Sequence, residues 1–382
     1  MKPSRASRRH ALRHALLAGG AAAAAIAFPV LAATSKGKGE ITIAHIADVS
    51  AAQQDVFKDI LIGTRAAWQS IDAKQGIRGV SVKHATFEVD GTQAGTNAAI
   101  EKILADNACV ALCATAGERV ALQAVNRLRE IKAPIAHVAP WLQNSTLQVD
   151  ERTFPIFAGR QEQLSHALRV LTEQGVQEIG VVYATEPDFA FYRTDLERIA
   201  QNLKMRLRTF APTEDIAHFA RQLTPDTPAI LVFVGGTPEI IAFMQGLETS
   251  QRQRYLVALA DVNLQALLQL GNARKAPVVG TQVVPVLSSP LVVVRQFKTV
   301  LARLFDEPPT PLSLAGFIAA QYTYEVLSAM EASVFTRASV LAAFQKREVM
   351  DVGGFRVAYD QQRRSASFVA QSMLTVDGRL VS

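Results

Sequence analysis

One order of apolar strands and amphipathic helices occurs twice along this chain, and that repetition limits the fold more than any single motif. The first copy opens with the β-rich run Ile41-Thr-Ile-Ala-His-Ile46. A helix over about Asp55 to Ala73 follows, with Phe57, Ile60, Leu61, Thr64, Ala67, Trp68 and Ile71 at helical spacing on one face. Gly76 and Gly79 end it. The pattern then predicts a strand from Val80 to Val89, a helix from Gln93 to Ala105, a strand from Cys109 to Ala114, a helix from Glu118 to Lys132 and a short strand from Pro134 to Val138. The order recurs from Glu178, with strands at Ile179–Tyr183, Met205–Phe210, Ala229–Val234 and Tyr255–Leu259 alternating with helices at Phe189–Leu203, Ile216–Leu223 and Pro238–Thr249.

Alternating strands and helices force parallel sheets covered on both faces, because each crossover helix must lie on the sheet it connects. The continuous apolar strand Ala229 to Val234 suits such burial. The fold class expected is therefore α/β with two similar lobes, each a mostly parallel sheet flanked by helices. Two unrelated tandem domains would also give two runs. The stretch after Gly280 begins no third copy, however. It reads as a strand to Val286, helices over about Pro290–Leu304, Pro311–Ser333 and Ala338–Lys346, and a closing hairpin around Val357 and Asp377-Gly378. These remnants are expected to complete both lobes by crossing between them. The 382 residues suit two lobes of roughly 150 each once a leader is removed.

That leader, residues 1–33, has the three parts of a secretory signal: a basic start, an apolar run from Ala15 to Leu31, and small residues at Ala32 and Ala33. Ser7-Arg8-Arg9-His10-Ala11-Leu12-Arg13 resembles the twin-arginine export motif, with Ala11 where Phe is usual, so the twin-arginine and general routes both stay open. Either route delivers the protein to the periplasm. No Cys stands near the cleavage region to carry a lipid, so no membrane insertion is expected after cleavage; an uncleaved anchor is the alternative. The formal charge of +6 comes mostly from the leader, which holds five basic residues and no acid. The rest of the chain has 35 basic against 34 acidic residues, too balanced to gather a phosphate backbone, and nucleic-acid binding is not expected. The two cysteines, Cys109 and Cys113, end one strand. At about 3.3 Å per residue they stand about 13 Å apart, too far for a disulfide or a shared metal, and read as packed free thiols.

Ligands of open parallel sheets bind beyond the carboxyl ends of the strands, where loops leave backbone N–H groups and helix N-termini unpaired. Two facing lobes bring two such edges together. The residues just after each strand are Asp48, Val49 and Ser50; Thr115, Ala116, Gly117, Glu118 and Arg119; Pro140 and Trp141; Glu186, Asp188 and Phe189; Gly235, Gly236 and Thr237; and Asp261. From these, Ser50, Thr115, Glu118, Trp141, Phe189, Thr237 and Asp261 are the candidate ligand-binding residues. Each has a plainer reading as well. Thr237 before Pro238 starts a helix and suits a cap, Glu118 suits the dipole of a helix start, Trp141 suits the core, and Asp261 suits either a ligand ammonium or a structural pair.

Catalytic templates are missing from the sequence. There is no G-x-S-x-G elbow, no phosphate-binding G-x-x-x-x-G-K-[ST] loop, no H-E-x-x-H and no paired C-x-x-C, and the histidines of the mature chain are scattered. No catalytic residue, metal or cofactor is expected.

Several late stretches resemble the periplasmic binding proteins of branched-chain amino-acid type, the substrate-binding components of ABC transporters with the type I periplasmic-binding fold. They are Val278-Val-Gly-Thr-Gln-Val-Val-Pro285 with Ser289-Pro-Leu-Val-Val-Val-Arg-Gln-Phe297, Pro311-Leu-Ser-Leu-Ala-Gly-Phe-Ile-Ala-Ala-Gln321, and Gly353-Gly-Phe-Arg-Val357 leading to Asp377-Gly-Arg379. The likeness covers about Glu40 to Ser382. It implies three hinge crossovers near residues 156, 285 and 350, with 40–155 and 286–349 in one lobe and 156–285 and 350–382 in the other. It also implies capture of an amino acid or a related small, carboxylate-bearing solute, delivery to ABC permease subunits, and a monomer. The pocket departs from the family. Of a Ser-Gly-Pro-like turn after the first strand only Ser50 carries over, Glu118 and Arg119 follow Gly117 where Ser or Thr is frequent, Phe189-Ala190 keeps the ring of an aromatic-Gly step, and Trp141 and Leu142 follow Pro140. A ligand sensor signalling to a membrane receptor, and more remotely an exported enzyme, are the competing readings.

Overall fold

The structure, a computed structural model, describes residues 39–381 apart from 146, 249–251, 272, 273, 333, 366 and 367; the leader expected over residues 1–33 lies outside the described residues. Five parallel strands form a first sheet: β1 (Glu40–Asp48), β2 (Ser81–Val89), β3 (Cys109–Cys113), β4 (Ala136–Val138) and β5 (Thr153–Phe154), in the order β2-β1-β3-β4-β5. Helices α1 (Gln54–Asp72), α2 (Gln93–Ala105) and α3 (Glu118–Glu130) make its crossovers. All of β3 and all but the first residue of β1 are buried, as a sheet covered on both faces requires.

The second sheet repeats this winding. Its parallel strands are β6 (Glu178–Tyr183), β7 (Arg206–Phe210), β8 (Ile230–Val234), β9 (Tyr255–Ala258) and β10 (Val278–Gln282), in the order β7-β6-β8-β9-β10. They are joined through α5 (Glu186–Asn202), α6 (Ile216–Arg221), α7 (Thr237–Gly246) and α8 (Leu264–Gln269), and α4 (Arg160–Glu173) leads in. In both sheets the second strand lies outside the first and the third lies on its other side. The doubled order in the sequence is thus a doubled topology, and the chain is two-lobed.

Three more helices, α9 (Val292–Leu304), α10 (Pro311–Ser328) and α11 (Arg337–Gln345), return to the first lobe. Helix α10 is buried nearly all round, and it meets α1 backbone to backbone at two glycines. A Cβ on Gly63 would lie 1.8 Å from the Ser313 carbonyl oxygen, and one on Gly316 would lie 2.1 Å from that of Ile60. Only glycine fits at either position.

The hairpin of β11 (Met350–Val352) and β12 (Phe355–Val357) packs its buried residues into the core shared by α1, α9 and α10, after which β13 (Ala370–Leu374) and β14 (Leu380–Val381) add antiparallel to the second sheet at β10. The chain therefore passes between sheets after Phe154, after Gln282 and after Val357. The last passage falls later than the position near 350 that the resemblance implied, because the hairpin belongs to the core of the first lobe. Cys109 and Cys113 are free and buried, and burial pushes their thiols up to about 11 and about 12.

Candidate ligand-binding cleft

In each sheet the first and third strands leave toward opposite sides, and the gap beyond their carboxyl ends is where such sheets bind ligands. On the first lobe this edge is made by Asp48 and the loop into α3. Gly117 has φ +100°, a conformation open to glycine at little cost, and a Cβ there would press on the Asp48 side chain at 2.6 Å. Asp48 accepts the Ser50 N–H at 3.0 Å and lies 3.6 Å from the Arg119 guanidinium, which also donates to the Ser50 hydroxyl at 3.3 Å.

The second-lobe edge carries charge. Arg160, the first residue of α4, is buried and spreads its guanidinium over two carboxylates of its own lobe. Its Nη2 lies 2.5 Å and its Nε 3.2 Å from Oδ2 of Asp261, and its Nη1 lies 2.6 Å from Oδ1 of Asp188. The guanidinium also sits over the Tyr192 ring, 5.1 Å from its centroid.

Local structure sets each of these groups. Thr185 caps α5 and holds Asp188 through both its backbone N–H and its carboxylate. The Thr237 hydroxyl donates to the Asp261 carbonyl at 3.5 Å and accepts the Asn263 N–H at 2.9 Å, so it fixes the loop that carries Asp261. Gln163, one turn after Arg160, accepts from the Ala260 N–H at 2.8 Å and the Thr281 hydroxyl at 2.9 Å, which ties α4 to the ends of β9 and β10.

The first lobe meets this cluster at three points. Glu118 lies 3.8 Å from Nη1 of Arg160 and accepts from the Tyr192 hydroxyl at 3.4 Å. The Trp141 indole N–H donates to Oδ1 of Asp261 at 3.0 Å. Asn263 donates to Asp59 of α1 at 3.4 Å. One guanidinium thus faces three carboxylates across the two edges. Burial alone would lower the pKa of Arg160, but Asp261, Glu118 and Asp188 outweigh it and hold the guanidinium charged, while burial raises that of Glu118.

Of the residues expected from the sequence, the structure brings Glu118, Trp141 and Asp261 together, with Thr237 directly behind Asp261. Ser50 contacts Arg119 and Asp48 instead of the cluster. Thr115 is fully buried, and its hydroxyl is hydrogen-bonded to Nε2 of His137 at 2.7 Å, so it offers no free group to the cleft. Phe189 packs edge-on against Tyr183 at 5.2 Å and under Arg193. Thr237 does not cap α7, because Gly236 holds the N-cap position. Sequence reasoning missed Arg160 and Tyr192. Arg160 follows a crossover and not a strand, and α4 itself was not foreseen. The available signal was a lone arginine closing the apolar run Phe154 to Gly159.

The periplasmic binding protein family model matches residues 40–375, nearly the whole described chain. The chain belongs to that family. The fold of this binding protein is shared by an extracellular ligand-binding receptor from Verminephrobacter eiseniae, 18% identical over 90% of this chain and 100% of that one, with a TM-score of 0.79. It is shared too by a branched-chain amino acid transporter substrate-binding protein from Streptococcus pneumoniae in complex with isoleucine, 13% identical over 90% and 98% of the two chains, with a TM-score of 0.74. A fatty acid ABC transporter substrate-binding protein from Thermomonospora curvata, 13% identical over 90% and 91%, gives 0.71. No curated protein matches. Among the described residues no helix is long and apolar enough to cross a membrane, and no group of three or more His, Cys, Asp or Glu is placed to hold a metal.

Proposed function

We propose that this binding protein works in the periplasm, closing its two lobes on a small amine-bearing solute, an amino acid or a close relative, for delivery to ABC permease subunits. The observation that carries the reading is the cluster across the lobes: Glu118 and Trp141 from one edge, Arg160, Asp188 and Asp261 from the other. An ammonium group would find three carboxylates, and a carboxylate on the same molecule would find Arg160. A zwitterion satisfies both at once, which a fatty acid does not. Glu118 therefore acts as a partner of the ammonium, and the like charge it would present to a carboxylate is offset by Arg160.

Closure results from bridging. A solute held by both edges favours the closed form by as much as it binds that form better, and the lobes rotate about the three passages between the sheets. The cluster holds no nucleophile beside a base, so we assign it binding and no catalysis.

A thermal-shift screen of the mature protein against amino acids, amines, dicarboxylates and fatty acids tests this. At 100 times its Kd a ligand stabilises by about 2.7 kcal/mol, enough to raise Tm by several degrees. Amine-bearing solutes should dominate the hits, and Asp261→Asn should abolish their shifts. Hits confined to fatty acids or dicarboxylates would overturn the ligand class, and shifts that survive Asp261→Asn would overturn the site.

A further inference from the structure

Fourteen buried side-chain nitrogen or oxygen atoms have no hydrogen-bond partner among the described residues, and four of them fall in one place on the first lobe: both ring nitrogens of His45, Nε2 of His84 and the indole nitrogen of Trp68. Buried polar groups are nearly always paired, so such a concentration marks a place where a partner is due. The strand register explains it. Pairing of Ile43 with His84 and of His45 with Thr86 puts His45, His84 and Thr86 on one face of the sheet, the face that α1 covers. The two imidazoles meet edge to face at 5.7 Å.

Strand β2 is the edge of its sheet, and between it and α1 lies an open groove of about 440 Å³ lined by Arg65, Trp68, Asp72, His84 and Thr86 among others. Arg65 is exposed and has no hydrogen bond or ion pair among the described residues. Asp72 is occupied at the foot of the groove, where its Oδ1 accepts from the Ser81 hydroxyl at 2.8 Å and the Val82 N–H at 2.9 Å. That pair places the groove toward the amino end of β2, away from the edge that forms the cleft.

We propose that this groove is a second ligand site, one that takes a small oxyanion. Arg65 is its charge partner, and the uncharged donors of Thr86, His84 and Trp68 form its walls. A carboxylate, a phosphate and a sulfate share this chemistry. Proton uptake accompanies binding. Burial first, and Arg65 second, hold the His84 imidazole down to about 4. An anion beside Arg65 cancels that repulsion and favours the protonated ring. The charged and titratable groups around His84 are Arg65 and Asp72 from α1 and His45 from β1. Affinity therefore rises as pH falls.

Calorimetric titration of the mature protein with inorganic phosphate, sulfate and acetate at pH 6 and pH 8, with the histidine ring resonances monitored in parallel, tests the site and tells the three anions apart. Saturable binding with a Kd of about 1 mM or tighter is expected for at least one of them, weaker at pH 8 and accompanied by a shift of the His84 signal. Arg65→Ala should weaken it by at least about tenfold, or 1.4 kcal/mol, with Tm unchanged, while Glu118→Gln in the cleft leaves it as it was. No binding by either readout, binding indifferent to Arg65→Ala, or a loss caused by Glu118→Gln would each overturn the proposal. The last outcome would place the anion in the cleft.

Discussion

The two lobes share a winding but bury their polar groups in different ways. The second lobe buries Arg160, Arg254 and Arg274 and gives each of these three several partners. Arg160 has its carboxylates, Arg254 donates to the carbonyls of Thr224, Thr227 and Pro228, and Arg274 donates to those of Leu267, Leu268, Thr375 and Val376. The first lobe buries imidazoles with scarcely any partners. His45 and His137 are fully buried, and His137 has only the Thr115 hydroxyl. A guanidinium stays charged at every ordinary pH, so the second lobe meets its desolvation cost with fixed pairs. An imidazole can shed its charge, so the first lobe avoids the cost by staying neutral. The difference is one of response. Removing a partner should damage the second lobe, and lowering the pH should damage the first.

The largest effect is expected at Arg160. Arg160→Met leaves Asp188, Asp261 and Glu118 together without their cation, and losing one partner of a buried charge pair costs about 3 to 5 kcal/mol. Urea unfolding should show that loss, and the double variant Arg160→Met with Asp261→Asn should recover part of it, because the second change removes a carboxylate that the first left unpaired. A loss under about 1 kcal/mol, or a double variant worse than the sum of the two single ones, would mean that the cluster is not a fixed network.

Next comes pH. Burial holds His84 down to about 4 and His137 to about 3, while the unfolded chain titrates near 6.5. The unfolded state therefore takes up protons first as the pH falls. Stability contributed by the neutral rings is whole above about 6.5 and is lost downward until about 4 for His84 and about 3 for His137. Between pH 6.5 and 5 this amounts to about 2 kcal/mol for His137 and less for the half-buried His84. Asp59 opposes it. Its carboxyl, raised to about 6 chiefly by burial, is protonated first in the folded state and returns stability as the pH falls from about 6 toward 3.8. The urea midpoint should therefore fall between pH 7.5 and pH 5, and fall more steeply in Asp59→Asn. A flat or rising midpoint in that variant would remove the contrast between the lobes.

The contrast also separates what the sequence disclosed from what it concealed. Strand and helix order was legible because burial on both sheet faces writes apolar runs such as Ala229 to Val234, and helix faces repeat at their own period. The rim was legible as far as it tracks strand ends, which is how Glu118, Trp141 and Asp261 were singled out as candidates, and the structure brings the three together. Arg160 was hidden because it opens a helix entered from a crossover, where no strand end points to it. Thr115 misled for the opposite reason. It stands at a strand end, but its hydroxyl is claimed by His137 on the neighbouring strand β4, a pairing that local pattern does not carry. Direction along a strand is visible in sequence, whereas the partner of a polar side chain is a tertiary fact.

Smaller effects should respect the same boundary within the cleft. Trp141→Phe keeps an apolar ring against Phe157 but removes the hydrogen bond to Asp261 and leaves part of the buried indole's volume empty, so about 1 to 3 kcal/mol of stability should be lost, together with about tenfold in affinity for a solute that binds at Asp261. Phe189→Ala should change affinity least, by less than about threefold, because its ring is spent on Tyr183 and Arg193, and its tie to the charged cluster is its chain neighbour Asp188 in the same helix turn. Side-by-side titration of the two variants with a screened ligand decides whether recognition depends on the inter-lobe hydrogen bonds or on the rings that line the rim. If Phe189→Ala proves the more damaging, the solute is read by its apolar part, and the charged cluster serves to hold the lobes together.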